Sequence, residues 1–66
     1  MIIKTTEKVE LGKIYNGFQL NDSDGNPHYN QPLVILREVT KEDYLHENTN
    51  IGMILSNDRF YEISID

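Results

Sequence analysis

Leu33-Val34-Ile35-Leu36 is the stretch that most limits what this chain can become. Four large aliphatic side chains in a row have no polar face under strand alternation. A strand built from them points apolar groups to both sides, so both sides need cover. The chain has 66 residues and no cysteine to brace it. A domain this small buries only about 60% of the surface its unfolded chain exposes. Ordering it costs roughly 1.5 kcal/mol per residue, on the order of 100 kcal/mol in all, and burial and bonding must offset that. With 38% apolar residues, one small core is within reach and a core plus a deep pocket is not. Residues 1–66 therefore read as a single small domain.

The signals around that central strand are mostly those of antiparallel sheet. Ile2 and Ile3 can supply a short first strand. "VELGKIYNGFQL" contains Asn16-Gly17, a strong two-residue hairpin signal because both residues tolerate positive φ. That hairpin would set Leu11, Tyr15, Phe18 and Leu20 on one face; the alternative is one continuous strand with Ile14, Phe18 and Leu20 together. Pro32 precedes the apolar run, a place where its missing N–H does little harm. "IGMILSNDRFYEISI" reads as a second hairpin turning at Asn57-Asp58, two residues that accept left-handed backbone.

Between these strands, "VTKEDYLHEN" predicts a helix of about two turns. Thr40 is its N-cap and Asp43 completes an acidic form of the capping box. Val39 and Tyr44 fall at the hydrophobic staple positions. Glu42 and Asp43 sit in the first turn, where the helix dipole favours negative charge. Asn48 and Asn50 are candidate terminators. Strands with so few edges to spare avoid open pairing by curling up. The expected fold is mainly β: a small SH3-like antiparallel barrel, or a highly curved sheet, of five to six strands with one short helix. An open sheet with the helix across one face is the alternative.

The stretch "NDSDGNPHYNQP", residues 21–32, is long for a connector in so compact a domain. Aligned on Gly25, it places Asp22 and Asp24 at two calcium-ligand positions. Leu20 and Gln31 then stand where the first ligand and the bidentate glutamate belong. No metal is expected there. His28 and Tyr29 are ring-bearing residues in a small, polar stretch, and they make the loop a candidate recognition element with Tyr29 as its anchor.

Other chemistry is thin. Glu42 and His46 lie four apart on the predicted helix, which suits a solvated contact better than a two-ligand metal site. Ser23, Ser56 and Ser64 lack a nucleophile-elbow pattern. The four glycines are scattered singly and form no phosphate loop. The sequence therefore predicts no enzyme, no cofactor and no metal. A net charge of −5 argues against direct nucleic-acid binding, which needs cations to neutralise phosphate, and against an anionic membrane surface. The start "MIIKTTEKVE" has no signal-peptide pattern, and a cytoplasmic location is expected.

In the Asn57-Asp58 register, Ile54, Tyr61, Ile63 and Ile65 make one apolar face. Ile51, Met53, Leu55 and Phe60 lie on the other, so neither face is polar. The short helix, through Tyr44 and Leu45, covers part of that second face at most. Met53, Leu55 and Phe60, with Tyr29 and His28 of the loop, are accordingly the candidate partner-binding residues. Together these features point to a non-catalytic protein–protein interaction module that binds a protein partner or a second copy. Such a chain suits a small virus- or plasmid-encoded inhibitor or adaptor. An acidic nucleic-acid mimic, carried by Glu38, Glu42, Asp43 and Glu47, is a second expectation, and a small structural subunit of a larger assembly is a third.

Overall fold

The computed structural model describes residues 1–28, 30–47 and 58–66. Within them the chain forms β1 (Ile2–Thr5), β2 (Ile14–Asn16), a 3₁₀ turn (Gly17–Gln19), β3 (Pro32–Val39), α1 (Lys41–Glu47) and β4 (Arg59–Ile65). The strands make one antiparallel sheet in the order β1-β4-β3-β2. It curls into a half-barrel with the helix against it. The sequence led us to expect five to six strands; four are present among the described residues. The strand expected at 51–55 and the turn residue Asn57 lie outside them, as do Asn48 and Asn50.

β3 is the apolar run, and it sits centrally as its composition requires. Leu33 and Ile35 are fully enclosed, at 0% exposure. They pack with Ile3, Val9, Leu20, Tyr61 and Ile63 on the concave side, and Tyr15 closes against them. Burying a side chain of this size contributes about 1.5–3 kcal/mol, so Leu20, Leu33 and Ile35 form the heart of the stability. Register partners agree with this: Leu33 faces Ile65, Ile35 faces Ile63, and Ile3 faces Tyr61.

The register between β3 and β4 slips between Ile35 and Arg37, so Leu36 is an extra residue in β3. A bulge of this kind bends its strand and resets which way the following side chains point. Beyond it, Val39 lies opposite Phe60 on the convex side. Those two form a second, smaller cluster with Ile2 and Tyr44. Tyr44 stacks on Phe60 with ring centroids 4.9 Å apart, within the range that favours tilted aromatic pairs.

The helix starts as its sequence dictates. The Asp43 amide donates to the Thr40 hydroxyl at 3.2 Å, and the Thr40 amide donates to the Asp43 carboxylate at 3.4 Å. The staple residues Val39 and Tyr44 both join the convex cluster. By contrast, Asn16-Gly17 does not turn a hairpin. Asn16 has φ −78° and caps the 3₁₀ turn. Its side chain accepts from the Phe18 amide at 2.9 Å, while Gln19 Oε1 accepts from the Asn16 amide at 2.9 Å. The reciprocal cap satisfies the amides of Asn16 and Phe18; a type I′ turn at the same residues would bond only the Phe18 amide and leave that of Asn16 to solvent. β2 pairs with β3 instead, Tyr15 opposite Leu33.

Two outcomes follow from these contacts. Thr40→Ala removes the cap and should lower stability by about 1 kcal/mol, read as a shift of the urea midpoint with an unchanged slope. Thr5, the one buried polar residue among the described residues, at 0% exposure, donates its hydroxyl to the Asn21 carbonyl and accepts from the Glu7 amide at 3.2 Å. Thr5→Val leaves both groups unpaired and should cost about 1–3 kcal/mol in the same measurement, despite near-identical volume.

Candidate functional site

The long loop resolves into a closed turn. Asn21 and Pro27 form an isolated bridge. The Asp22 amide donates to the Asn26 carbonyl at 2.8 Å, and the Gly25 amide to the Asp22 carbonyl at 3.0 Å. Asp22 Oδ1 accepts from the amides of Asp24 at 2.9 Å and Asn26 at 3.0 Å. Gly25 has φ +85°, a conformation that glycine adopts without strain. The carboxylate at one calcium-ligand position is thus engaged by the loop's own backbone. No group of three or more metal-ligating side chains occurs among the described residues.

Those bonds favour the ionised carboxylate. The Asn26 amide, more than any other group, holds Asp22 below its ordinary 3.8, with further help from the Asp24 amide, His28 and Lys4. His28 is half-buried. Desolvation pushes its imidazole below the ordinary 6.5, against the pull of Asp22, a bond to the Lys4 backbone and the charge of Glu7. The His28 amide donates to the carbonyls of Gly17 at 3.3 Å and Leu20 at 3.2 Å. Of the expected recognition loop, His28 is therefore a seam residue turned toward the body of the domain. Tyr29 lies outside the described residues.

The expected partner face is redistributed. Phe60 is 7% exposed and lies beneath Tyr44, a helix residue expected to cover part of this face, so Phe60 is not part of the open surface of the described residues. Alternation along β4 does set Phe60 and Tyr61 on opposite faces, but each face there has its own cover, Tyr44 on one side and the main core on the other. Met53 and Leu55 lie outside the described residues. Glu38, Glu42, Asp43 and Glu47 are all exposed, and the Asp43 carboxylate is committed to the Thr40 cap.

Exposed apolar side chains include Leu11, Phe18 and Ile65, and a strip of them lies on paired strands at the β2–β3 end of the convex side. Ile14 and Val34 are register partners and share the face opposite Tyr15 and Leu33. Leu36 follows two residues along β3, at the bulge. Ile14 is 55% exposed, Leu36 46%, and Val34 is partly covered. The helix packs on β1 and β4, away from this end. An ion pair separates the two regions: Arg37 Nη2 lies 2.6 Å and Nε 2.8 Å from Glu62 Oε2. Sequence reasoning missed this strip because it assigned Ile14 to a hairpin. The signal was present in the unbroken 33–36 run, whose second face had to be covered or open.

No family model, curated protein or solved structure matches the chain. The site is described by its chemistry alone: an apolar strip bordered by a fixed ion pair, on a scaffold whose described residues include no helix able to cross a membrane.

The loop carries a pH prediction. Because Asp22 has a depressed pKa in the fold, its contribution is present above the unfolded value of 3.8 and is lost as pH falls through the folded one. Asp22→Asn should lower the melting temperature at neutral pH and flatten its acid dependence below about pH 4. An acid limb identical to that of the parent chain would show that the carboxylate does not hold the loop.

Proposed function

We propose that the chain is a non-catalytic protein–protein interaction module of SH3-like small-barrel type, an adaptor or inhibitor that docks a partner protein on the Ile14–Val34–Leu36 strip. The observation that carries this reading is the exposed apolar strip itself, Ile14 and Leu36 beside Val34 on two paired strands. Contiguous exposed apolar surface marks interaction sites, and a strip built on paired strands offers a rigid, pre-ordered contact. The likeness to small barrels speaks only to architecture, since such folds host unrelated functions.

The occupant is a different protein with a basic rim. A net charge of −5 makes two copies repel each other at neutral pH and draws a cationic partner in. The strip supplies apolar contact, and the acidic body supplies orientation and association rate.

The test uses the double variant Ile14→Ser/Leu36→Ser. Both side chains are about half exposed, so the variant should melt close to the parent chain. Immobilised parent chain should retain one dominant protein from lysate, and the variant should lose at least about tenfold in affinity for that same protein once purified, the equivalent of about 1.4 kcal/mol. Added salt should slow association of the parent chain. Equal retention by the folded variant would refute the strip as the docking site. Dimerisation of the parent chain at neutral pH, abolished in the variant, would replace the hetero-partner with a second copy.

A further inference from the structure

Asn16-Gly17 is the one place in the chain where an asparagine precedes a glycine. That pair is chemically unstable in an unconstrained chain. The Gly17 backbone nitrogen, once it loses its proton, attacks the side-chain carbonyl carbon of Asn16. A C–N bond closes a succinimide ring, and the side-chain amide nitrogen leaves as ammonia. Water then opens the ring at one of its two carbonyls, leaving aspartate or isoaspartate at position 16. Glycine permits this because it sets no side chain against the ring and lets the backbone rotate. Asn26 precedes Pro27, which has no N–H to give. Asn21 and Asn30 precede the bulkier Asp22 and Gln31.

The fold denies this reaction both its proton and its geometry. The Gly17 amide donates to the Gln31 carbonyl at 3.1 Å, so the attacking nitrogen is already engaged. The Gly17 carbonyl accepts from the amides of Leu20 at 3.2 Å and His28 at 3.3 Å, and Gly17 itself is buried. Ring closure needs the Gly17 nitrogen eclipsed with the Asn16 side chain, which requires a negative ψ at Asn16. Its ψ is 134°, the extended value that goes with pairing to β3. The reciprocal cap holds it there, through the Asn16 amide on Gln19 Oε1 and the Phe18 amide on Asn16 Oδ1, each at 2.9 Å. The Phe18 amide polarises the side-chain carbonyl, which by itself would assist attack. The nitrogen, however, stands on the wrong side of the Cα–C bond to reach it.

We propose that Asn16-Gly17 is a site of spontaneous deamidation that the closed β2–β3 pairing keeps shut, and that its isoaspartyl product cannot return to this fold. Reaction then runs only through molecules in which β2 and the 3₁₀ turn have opened. The two products differ on reclosing. A plain aspartate leaves the main chain unchanged and still offers an oxygen to the Phe18 amide, as N-cap residues do. Isoaspartate routes the main chain through the former side-chain carbon and so adds an atom between Tyr15 and Gly17. Tyr15 opposite Leu33 and Gly17 on Gln31 then cannot both be in place. If Gly17 keeps its bond, Tyr15 is displaced from the main core that it closes. An opening that lasts long enough for the chemistry is thereby made irreversible.

The experiment ages the folded chain and a synthetic peptide of residues 12–20 side by side in one neutral buffer. Trypsin releases residues 14–37 of the chain as a single peptide, bounded by Lys13 and Arg37, and fragment masses locate the conversion. Asn16 should convert at least about tenfold more slowly in the chain than in the peptide, the equivalent of about 1.4 kcal/mol of opening. Gln19→Ala removes one half of the cap and should convert at a rate between the two. Chain aged in urea supplies both products for refolding. The aspartyl form should regain slow hydrogen exchange at the Gly17 amide, and the isoaspartyl form should not. Equal rates in folded chain and peptide, or an isoaspartyl chain that restores protection of Gly17, would overturn the proposal. If Gln19→Ala fails to fold, the parent chain against the peptide decides the rate by itself.

Discussion

Leu36 occupies a place in β3 that has no counterpart in β4. Before it, Leu33 and Ile35 face the concave core. After it, Val39 faces the convex side and meets Phe60. A regular strand would keep Val39 on the side of Leu33 and Ile35, leaving Phe60 without its cross-strand neighbour. The bulge thus lets a four-stranded sheet carry two small apolar clusters on opposite faces. It also bends β3, and bending is what turns a flat ribbon into a half-barrel with an enclosed side. In a chain without disulfides, enclosing the concave side is the main source of burial.

The long loop has a structural explanation in the same geometry. A closed barrel has no edges, but among the described residues no strand pairs with the outer side of β1 or β2. The loop lies along the first of these with one hydroxyl and one imidazole as its attachments. Its own rigidity comes from Asp22, which gathers two amides, and from Gly25, which turns with positive φ. Residues 21–28, which resemble a calcium loop in composition, are fastened to β1 instead.

How much of this was legible depended on how local the determining contacts were. The helix cap could be read because Thr40 and Asp43 are three residues apart and answer only to each other. The central placement of 33–36 was legible from composition, and the tight turn around Gly25 from turn chemistry. Asn16-Gly17 misled because the same Asn begins both a hairpin turn and an Asn-x-x-Gln cap, and only the pairing of β2 with β3, far along the chain, selects the cap. Phe60 misled because a bulge in another strand decides what lies opposite it. The His28 seam depends on β1, the 3₁₀ turn and the loop coming together, which no local pattern encodes.

The Arg37–Glu62 pair shows how little energy is needed to organise the convex side. Arg37 is more than half exposed, and exposed pairs of this kind contribute about 0–1 kcal/mol. Its value lies in placement. Glu62 pairs across the sheet with both Ile2 and Arg37, so the ion pair stands between the cluster under Tyr44 and the strip of Ile14, Val34 and Leu36. An apolar residue at either position would join the two regions into one large patch, extending from the helix to β2. Charges there keep the strip narrow and give it one defined border. A partner docked there as proposed would have to desolvate Arg37 and Glu62 to slide toward the helix, which costs more than their mutual attraction returns. On the proposed reading, the strip would favour one seating over its neighbours, with specificity arising from what the surface makes expensive as much as from what it offers.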